Sequence, residues 1–300
     1  MTLMLLDSAS LWYRAYYGMP DTLVSKDGTP VHAIRGFLDM SARLVAQYKP
    51  KRFVACLDGD WRPSWRVELF PEYKANRLEE EGLEEEEPET LTPQIPILLE
   101  LLDAIGIPIV GADDYEADDV IATYSVKETG PIFIVTGDRD LFQLVDDKRK
   151  VKVVYLAKGI SNHDLVDCQW IENKYSIPGE RYALYAMIRG DSSDGLPGIK
   201  GIGEKGAAVI ANNFASMQDV MQAALNDNLD LPAPLRKRLI ADEKYAQIAE
   251  KLVHCALDVP IPRLDLRIPD KPVDLDRIYQ LKDEHNLGAS VDRFISALGL

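Results

Sequence analysis

The chain has 300 residues, of which 46% are hydrophobic and 28% charged, and a formal net charge of −15. That supplies the core of one large or two ordinary globular domains, and no apolar run approaches the ~20 residues of a membrane span. Taken whole, the acidic total argues against a nucleic-acid partner. The acids are uneven, however: residues 79–89, EEEGLEEEEPE, hold eight glutamates.

The first residues, MTLMLLD, are too short and too little basic for a signal-peptide core and read as a first strand in a cytoplasmic protein. LMLLD (3–7), RFVACLD (52–58), IPIV (107–110), PIFIVTGD (131–138) and VKVVYL (151–156) read as buried strands. Residues 31–48 and 93–105 carry helical apolar spacing between them. Strands alternating with helices predict a mostly parallel α/β sheet, with ligands beyond the carboxyl ends of the strands. Beyond about residue 160 the strand signals fade. Helical patterns follow at 180–190, 204–214, 216–226, 233–240 and 242–255, then a proline-rich 256–272 and two short helices in 274–298. The expected division is an α/β core at 1–160 and a helical region at 161–300. Cys56, Cys168 and Cys255 are far apart, as are the four histidines, which excludes a disulfide framework and a histidine-based zinc site.

Carboxylates gather at the predicted strand ends and helix starts. Residues 113–119, DDYEADD, place five acids in seven positions just before an apolar helix. A helix N-terminus favours one or two acids through its dipole, not five. Asp7, Asp58, Glu116, Asp118, Asp119, Asp138, Asp140, Asp191 and Asp194 come from five separate segments that the topology brings to one rim. Any single one could be a helix cap, and Asp140 is a fair example. Together they would repel strongly unless cations relieve them. An all-oxygen set without His or Cys favours Mg²⁺, Mn²⁺ or Ca²⁺, and paired metals suit phosphodiester cleavage. Glu116 and Asp119, three residues apart, can share a helix face; Asp118 would point elsewhere.

Two further stretches favour a phosphate-bearing polymer. GLPGIKGIGEKGAAV (195–209) spells G-x-G-x-x-G but follows a helical pattern, so the dinucleotide reading fails. It reads as a helix–hairpin–helix turn, in which Gly201 and Gly203 expose backbone amides to a phosphate and Lys200 and Lys205 add charge. Residues 61–77, WRPSWRVELFPEYKANR, interleave Arg62, Arg66, Lys74 and Arg77 with Trp61, Trp65, Phe70 and Tyr73. That mixture can hold a phosphate and stack a base, and equally could form a solvated amphipathic segment.

In order and content, LLDSASLWYRAY, LDGD, FPEYKANR, GADDYEADDVIA, TGDRDLFQLV and GDSSDGLPGIKGIGEKGA resemble the bacterial and phage 5′→3′ exonuclease/flap endonuclease family. That family includes the 5′-nuclease domain of DNA polymerase I; this chain is expected to be a free-standing member. The resemblance implies a PIN-like mostly parallel sheet with helices on both faces, a helical arch at about 70–95 and a helix–hairpin–helix that binds duplex. It implies hydrolysis of DNA near 5′ flap/duplex junctions and from 5′ ends by two or more Mg²⁺ or Mn²⁺ ions, in replication and repair. The nine carboxylates would hold the metals, with Asp118 and Asp138 catalytic. Lys74 and Arg77 would engage the scissile phosphate, and Arg14, Arg66 and Tyr73 the substrate. The hairpin would hold K⁺ through backbone carbonyls. The expected protein is a nucleoid-associated monomer that meets flapped, nicked or gapped DNA beside a polymerase and a ligase, with no membrane partner. Ser8 and Gly195 stand where the family often has Gly and Asn, and neither change removes a ligand. Without the nine site acids and the eight glutamates of 79–89, the net charge becomes +2, which leaves room for a basic DNA track. The alternatives are a DNA-binding module without turnover and a related RNA-directed nuclease.

Overall fold

The computed structural model describes residues 1–78 and 88–300. The middle of the expected arch and most of the glutamate run, 79–87, lie outside the described residues. Six strands form one sheet: β1 (Leu3–Asp7), β2 (Arg52–Cys56), β3 (Ile109–Val110), β4 (Ile132–Thr136), β5 (Val151–Tyr155) and β6 (Asp164–Val166). Their spatial order is β3-β2-β1-β4-β5-β6. The first five strands run parallel and β6 pairs antiparallel on β5. This is the mostly parallel sheet expected, with an edge strand added.

β1 is buried along its whole length, and its unbroken LMLL run follows from cover on both faces. Leu3 and Leu5 point to one face, Met4 and Leu6 to the other, each into its own core. On the Met4 face lie α1 (Ser8–Gly18), α2 (His32–Tyr48) and, after a short α3 (Ser64–Leu69), α4 (Gln94–Ile105). On the Leu3 face lies α5 (Ala117–Lys127).

The helical region comprises α6 (Cys168–Tyr175), α7 (Tyr182–Arg189), α8 (Glu204–Asn213), α9 (Met217–Leu225), α10 (Ala233–Ala241) and α11 (Glu243–Val253). Its apolar faces join the Leu3-face core. Residues 256–272 carry no helix, and Arg267 bridges to Arg52 at the sheet edge. α12 (Leu275–Glu284) and α13 (Ala289–Leu298) then return to the Met4 face, where Ile278, Leu281, Val291 and Phe294 are buried. The closing helices therefore share a core with residues 1–105 rather than with the helices of 182–253. Among the described residues no helix is long and apolar enough to cross a membrane.

Strand order turns at β1: the chain builds outward through β2 and β3, then crosses back to place β4 on the other side. The crevice between the carboxyl ends of β1 and β4 is the expected position of a ligand. Asp7 ends β1 and Asp138 follows β4 by two residues.

Candidate active site

Six segments meet at that crevice around a cavity of about 720 Å³. Asp7, Asp58, Glu116, Asp118, Asp138 and Asp191 all line it, with Arg14, Lys74, Arg77 and Arg139. Each acid is held by local geometry. Asp7 terminates β1 because its side chain caps α1, accepting from the Ser10 amide at 3.1 Å; it also accepts from the Thr136 hydroxyl at 2.6 Å. Asp58 accepts from the Ala117 amide at 2.7 Å, so it sits against the positive end of α5. Asp138 accepts from the Asp140 amide at 3.0 Å. Asp191 follows α7 through Gly190, which packs directly on Gly198. A Cβ at either glycine would lie 2.5 Å from the other's amide nitrogen. That crossing brings the Asp191 loop and the hairpin turn together.

Four of the five acids of DDYEADD separate according to their partners. Asp114, in a left-handed conformation, accepts from both the amide and the hydroxyl of Ser64 at the start of α3. Asp119 is fully buried and takes a two-pronged bond from Arg66, 2.8 Å on each arm, plus the Ala256 amide at 2.7 Å. Glu116 accepts from Lys74 at 2.6 Å, from the Tyr73 hydroxyl at 2.7 Å and from Arg66 at 3.2 Å. Asp118, by contrast, faces the cavity.

Two kinds of carboxylate result. Burial would raise the pKa of Glu116, but Lys74 and Arg66 outweigh it and hold the group below its ordinary value. Asp191 is likewise lowered, its burial outweighed by Ser193, Arg189 and Arg139. The others lack such cover. Burial, then Asp58 and Asp138, push Asp7 up to about 7. Burial, then Asp7 and Asp138, raise Asp118 well above the carboxylate range. Burial chiefly raises Asp58 and Asp140 as well. Asp194 reaches about 6, its burial only partly offset by Lys74 and Arg77.

These shifts set a pH dependence. Asp7 and Asp194 bind protons more tightly when folded than their ordinary 3.8 allows. Their contribution to stability is complete below about pH 4 and lost as pH rises through 6 to 7. The melting temperature of metal-free protein is expected to fall between about pH 5 and pH 8. Asp7→Asn should flatten that fall, as should excess Mg²⁺. An equally steep decline in Asp7→Asn would contradict the assignment.

The donor set suits a hard divalent cation: among the described residues six carboxylates line the cavity and no His or Cys does. Among the described residues no three acids already converge as a finished cage, so a cation would draw them in by side-chain rotation. Asp140 and Asp194 line a neighbouring space of about 20 Å³, room for about one water, which shares Glu116 and Asp118 with the main cavity. Asp119 lines neither.

Segment 72–77 reaches the cavity by docking on the Asp191 loop. The Lys74 amide donates to the Asp194 carbonyl at 2.9 Å, Asn76 to the Ser193 carbonyl at 3.2 Å, and Arg77 pairs with the Asp194 carboxylate. Gly195 lies under this contact, where a Cβ would meet the Glu72 carbonyl at 2.5 Å. The docking holds Lys74 in a left-handed backbone conformation, φ 50°, a strained state that only surrounding structure maintains.

Arg66 and Tyr73, expected to touch substrate, are instead buried, at 3% exposure each. They spend their polar groups on Glu116 and Asp119, so they position carboxylates. Arg14 does line the cavity, with its Nε buried and without a partner among the described residues. Lys200, Gly201, Gly203 and Lys205 are exposed on the hairpin and the first turn of α8. A groove of about 590 Å³ joins the two places, running from Arg139 and Asp191 past Arg189 to Gly203 and Glu204. Sequence reasoning passed over Arg139 and Arg189. Arg139 sits between two named acids in TGDRD and Arg189 precedes GDSSDG, and adjacency to those acids was the available signal.

Comparison with known proteins agrees with this geometry. Residues 2–176 match the family profile described as 5'-3' exonuclease, N-terminal resolvase-like domain. Residues 177–273 match 5'-3' exonuclease, C-terminal SAM fold. A 5'-3' exonuclease of Streptomyces coelicolor is 48% identical over 299 residues, covering 98% of this chain and 99% of that protein. One from Mycobacterium tuberculosis is 40% identical over 309 residues, covering 99% and 97%. The DNA polymerase I of Mycobacterium bovis is 33% identical over 306 residues, 99% of this chain but 32% of the polymerase. Among solved structures, the T5 D15 protein co-crystallized with metal ions shares the fold with a TM-score of 0.65 at 21% identity, over 99% and 98% of the two chains. The catalytic core of Rad2 in complex with DNA substrate gives 0.59 at 17%, over 100% and 92%. The chain belongs to the 5'-3' exonuclease family.

Proposed function

We propose that this chain is a structure-specific, metal-dependent 5′ nuclease that hydrolyses DNA at 5′ flap/duplex junctions and exonucleolytically from 5′ ends. The observation that carries the reading is one cavity in which incompletely neutralised carboxylates face Arg14, Lys74 and Arg77, continuous with a groove to the hairpin. Solved proteins of the same fold, one co-crystallized with metal ions and one in complex with DNA substrate, support it.

The carboxylates would hold Mg²⁺ or Mn²⁺, with Asp7, Asp58, Glu116, Asp118, Asp138 and Asp191 around the main cavity and Asp140 and Asp194 beside it. When bound, the metals would supply an activated water and stabilise the leaving 3′ oxygen. This chain's own residues do the rest. Lys74 and Arg77 enter from one side and Arg14 from α1, so three cations converge where a phosphate would sit among the acids. They neutralise charge that grows as the phosphodiester bond breaks. Lys74 is kept protonated because Glu116 and Asp194 outweigh the burial that would discharge it. Arg139 and Arg189 lie along the groove and would track the duplex backbone toward the exposed amides at the start of α8, without reading sequence. Products would carry a 5′-phosphate and a 3′-hydroxyl. Such ends suit polymerase extension and ligation, and on this reading the enzyme works as a monomer at the nucleoid.

The test is cleavage of a 5′-flap duplex labelled on the flap strand, beside matched single-stranded and blunt duplex DNA, in Mg²⁺, Mn²⁺ or chelator. The reading expects flap-length fragments only with metal, with the flap preferred at least ~10-fold over single strands. Shifted DNA that is never cut in either metal would favour a binding module and refute the enzyme.

A further inference from the structure

Two hydroxyls tie the end of β4 to the junction of β1 and α1, and their hydrogens have different fates. The Thr136 hydroxyl accepts from the Asp138 amide at 2.9 Å and donates its own hydrogen to Asp7 at 2.6 Å. The Ser10 hydroxyl accepts from the Gly137 amide at 2.6 Å. Its hydrogen has no acceptor among the described residues. Ser10 lines the cavity, whereas the fully buried Thr136 does not. A serine hydroxyl carries one donor beside its acceptor lone pairs, so one donor is left over at the cavity wall. Arg14 follows Ser10 by four residues, one turn along the same face of α1. Both side chains converge on Gly137: a Cβ built there would lie 2.9 Å from Ser10 Oγ, 3.3 Å from Arg14 Nη2 and 3.9 Å from Arg14 Nε. Arg14 Nε is itself buried without a partner among the described residues.

A neutral hydroxyl and a guanidinium thus stand side by side with donors unspent, in a cavity whose own acids are taken up elsewhere or turned to cations. A phosphodiester supplies the missing acceptor, since its non-bridging oxygens are charged and take strong hydrogen bonds. We propose that Ser10 is a substrate-binding residue whose hydroxyl donates to a non-bridging oxygen of the DNA phosphate that Arg14 holds by charge. The Gly137 amide fixes the Ser10 oxygen in advance, so little freedom is lost when the phosphate arrives. The hydroxyl adds a hydrogen bond without adding charge, and so does not compete with the cations that neutralise the acids. This role rests on the cavity's being the DNA-cleaving site of the proposed nuclease.

The test couples the side chain to one phosphate at a time. A fluorescent 5′-flap duplex carries a single methylphosphonate, in which a methyl group replaces a non-bridging oxygen, at successive linkages on either side of the junction. Affinity is measured by anisotropy at constant ionic strength in Ca²⁺, a hard cation for the same oxygen donors, with each strand checked to be intact. On unmodified DNA, Ser10→Ala is expected to bind ~10-fold more weakly than wild type, the scale of a hydrogen bond to a charged group. That defect should shrink below ~2-fold when one particular linkage is modified and persist at the others. Arg14→Met should couple to the same linkage. Ser10→Cys, which keeps the shape with a weaker donor and acceptor, should show the same pattern if the alanine variant does not fold. Equal affinity of Ser10→Ala and wild type would overturn the proposal. So would a Ser10→Ala defect of the same size at every linkage, the mark of a residue that only props the Gly137 loop. Wild-type protein that binds no flap duplex at all would overturn it by removing the DNA-binding reading on which it stands.

Discussion

Arg66→Met is expected to cost about 3–5 kcal/mol of folding stability, the loss seen when one partner of a buried ion pair is removed. Arg66 is buried with Asp119 held by both arms and Glu116 by one. It also lies 4.2 Å from the centre of the Trp65 ring. Methionine keeps most of the volume and removes the charge, leaving Asp119 buried without its cation and Glu116 with Lys74 alone. Asp119 also fixes the Ala256 amide, so the loss would spread to the start of the proline-rich segment. Urea denaturation at neutral pH measures the cost. The double variant Arg66→Met, Asp119→Asn should recover a large part of it, since it removes the stranded charge. A single-variant loss under about 1 kcal/mol would mean the network is not a structural ion cluster.

Asp118→Asn is expected to have the largest effect on activity, at least about 1000-fold on flap cleavage. Asp118 lines the cavity with Asp7 and Asp138, and burial, then their charges, raises its pKa. Asparagine keeps the shape and removes the charge. The variant should therefore be more stable than wild type without metal, because a buried repulsion is gone. It should also lose much of the stabilisation that Mn²⁺ gives, and its affinity for flap DNA in chelator should be unchanged or tighter, since a phosphate would meet one acid fewer. Normal cleavage by Asp118→Asn would remove this residue from the metal set. A fall in metal-free stability would show that Asp118 is a structural acid like Asp119.

The contrast between those neighbours marks how far the sequence was legible. The parallel sheet and the gathering of acids could be read because strand ends in such sheets share one rim. LLD, CLD and TGD announce three of those ends directly. The choice among the acids could not be read. Consecutive helix residues point about 100° apart, so only one of Asp118 and Asp119 can face the cavity. The spacing argument paired Glu116 with Asp119, whereas the side that meets solvent is fixed by where Arg66 lies, fifty residues earlier. Arg66 and Tyr73 misled for a related reason: a basic and aromatic segment has the same composition whether it lies on DNA or folds inward onto buried acids. β6 is three residues long, too short to carry a period. The closing helices were visible as amphipathic stretches, but an apolar face does not name the sheet it will cover.

Titration of Mn²⁺ into metal-stripped protein, followed by the electron paramagnetic resonance of the free ion, tests the central claim that the strained carboxylate cavity is a cation site. The account predicts at least one ion bound per wild-type chain. With Asp118→Asn the affinity should be at least ~10-fold weaker, and binding should tighten as pH rises from about 5 to about 8 while Asp7 loses its proton. Identical binding curves for wild type and Asp118→Asn, or binding indifferent to pH, would mean that the ion sits elsewhere and that the acids of the crevice are held apart for another reason.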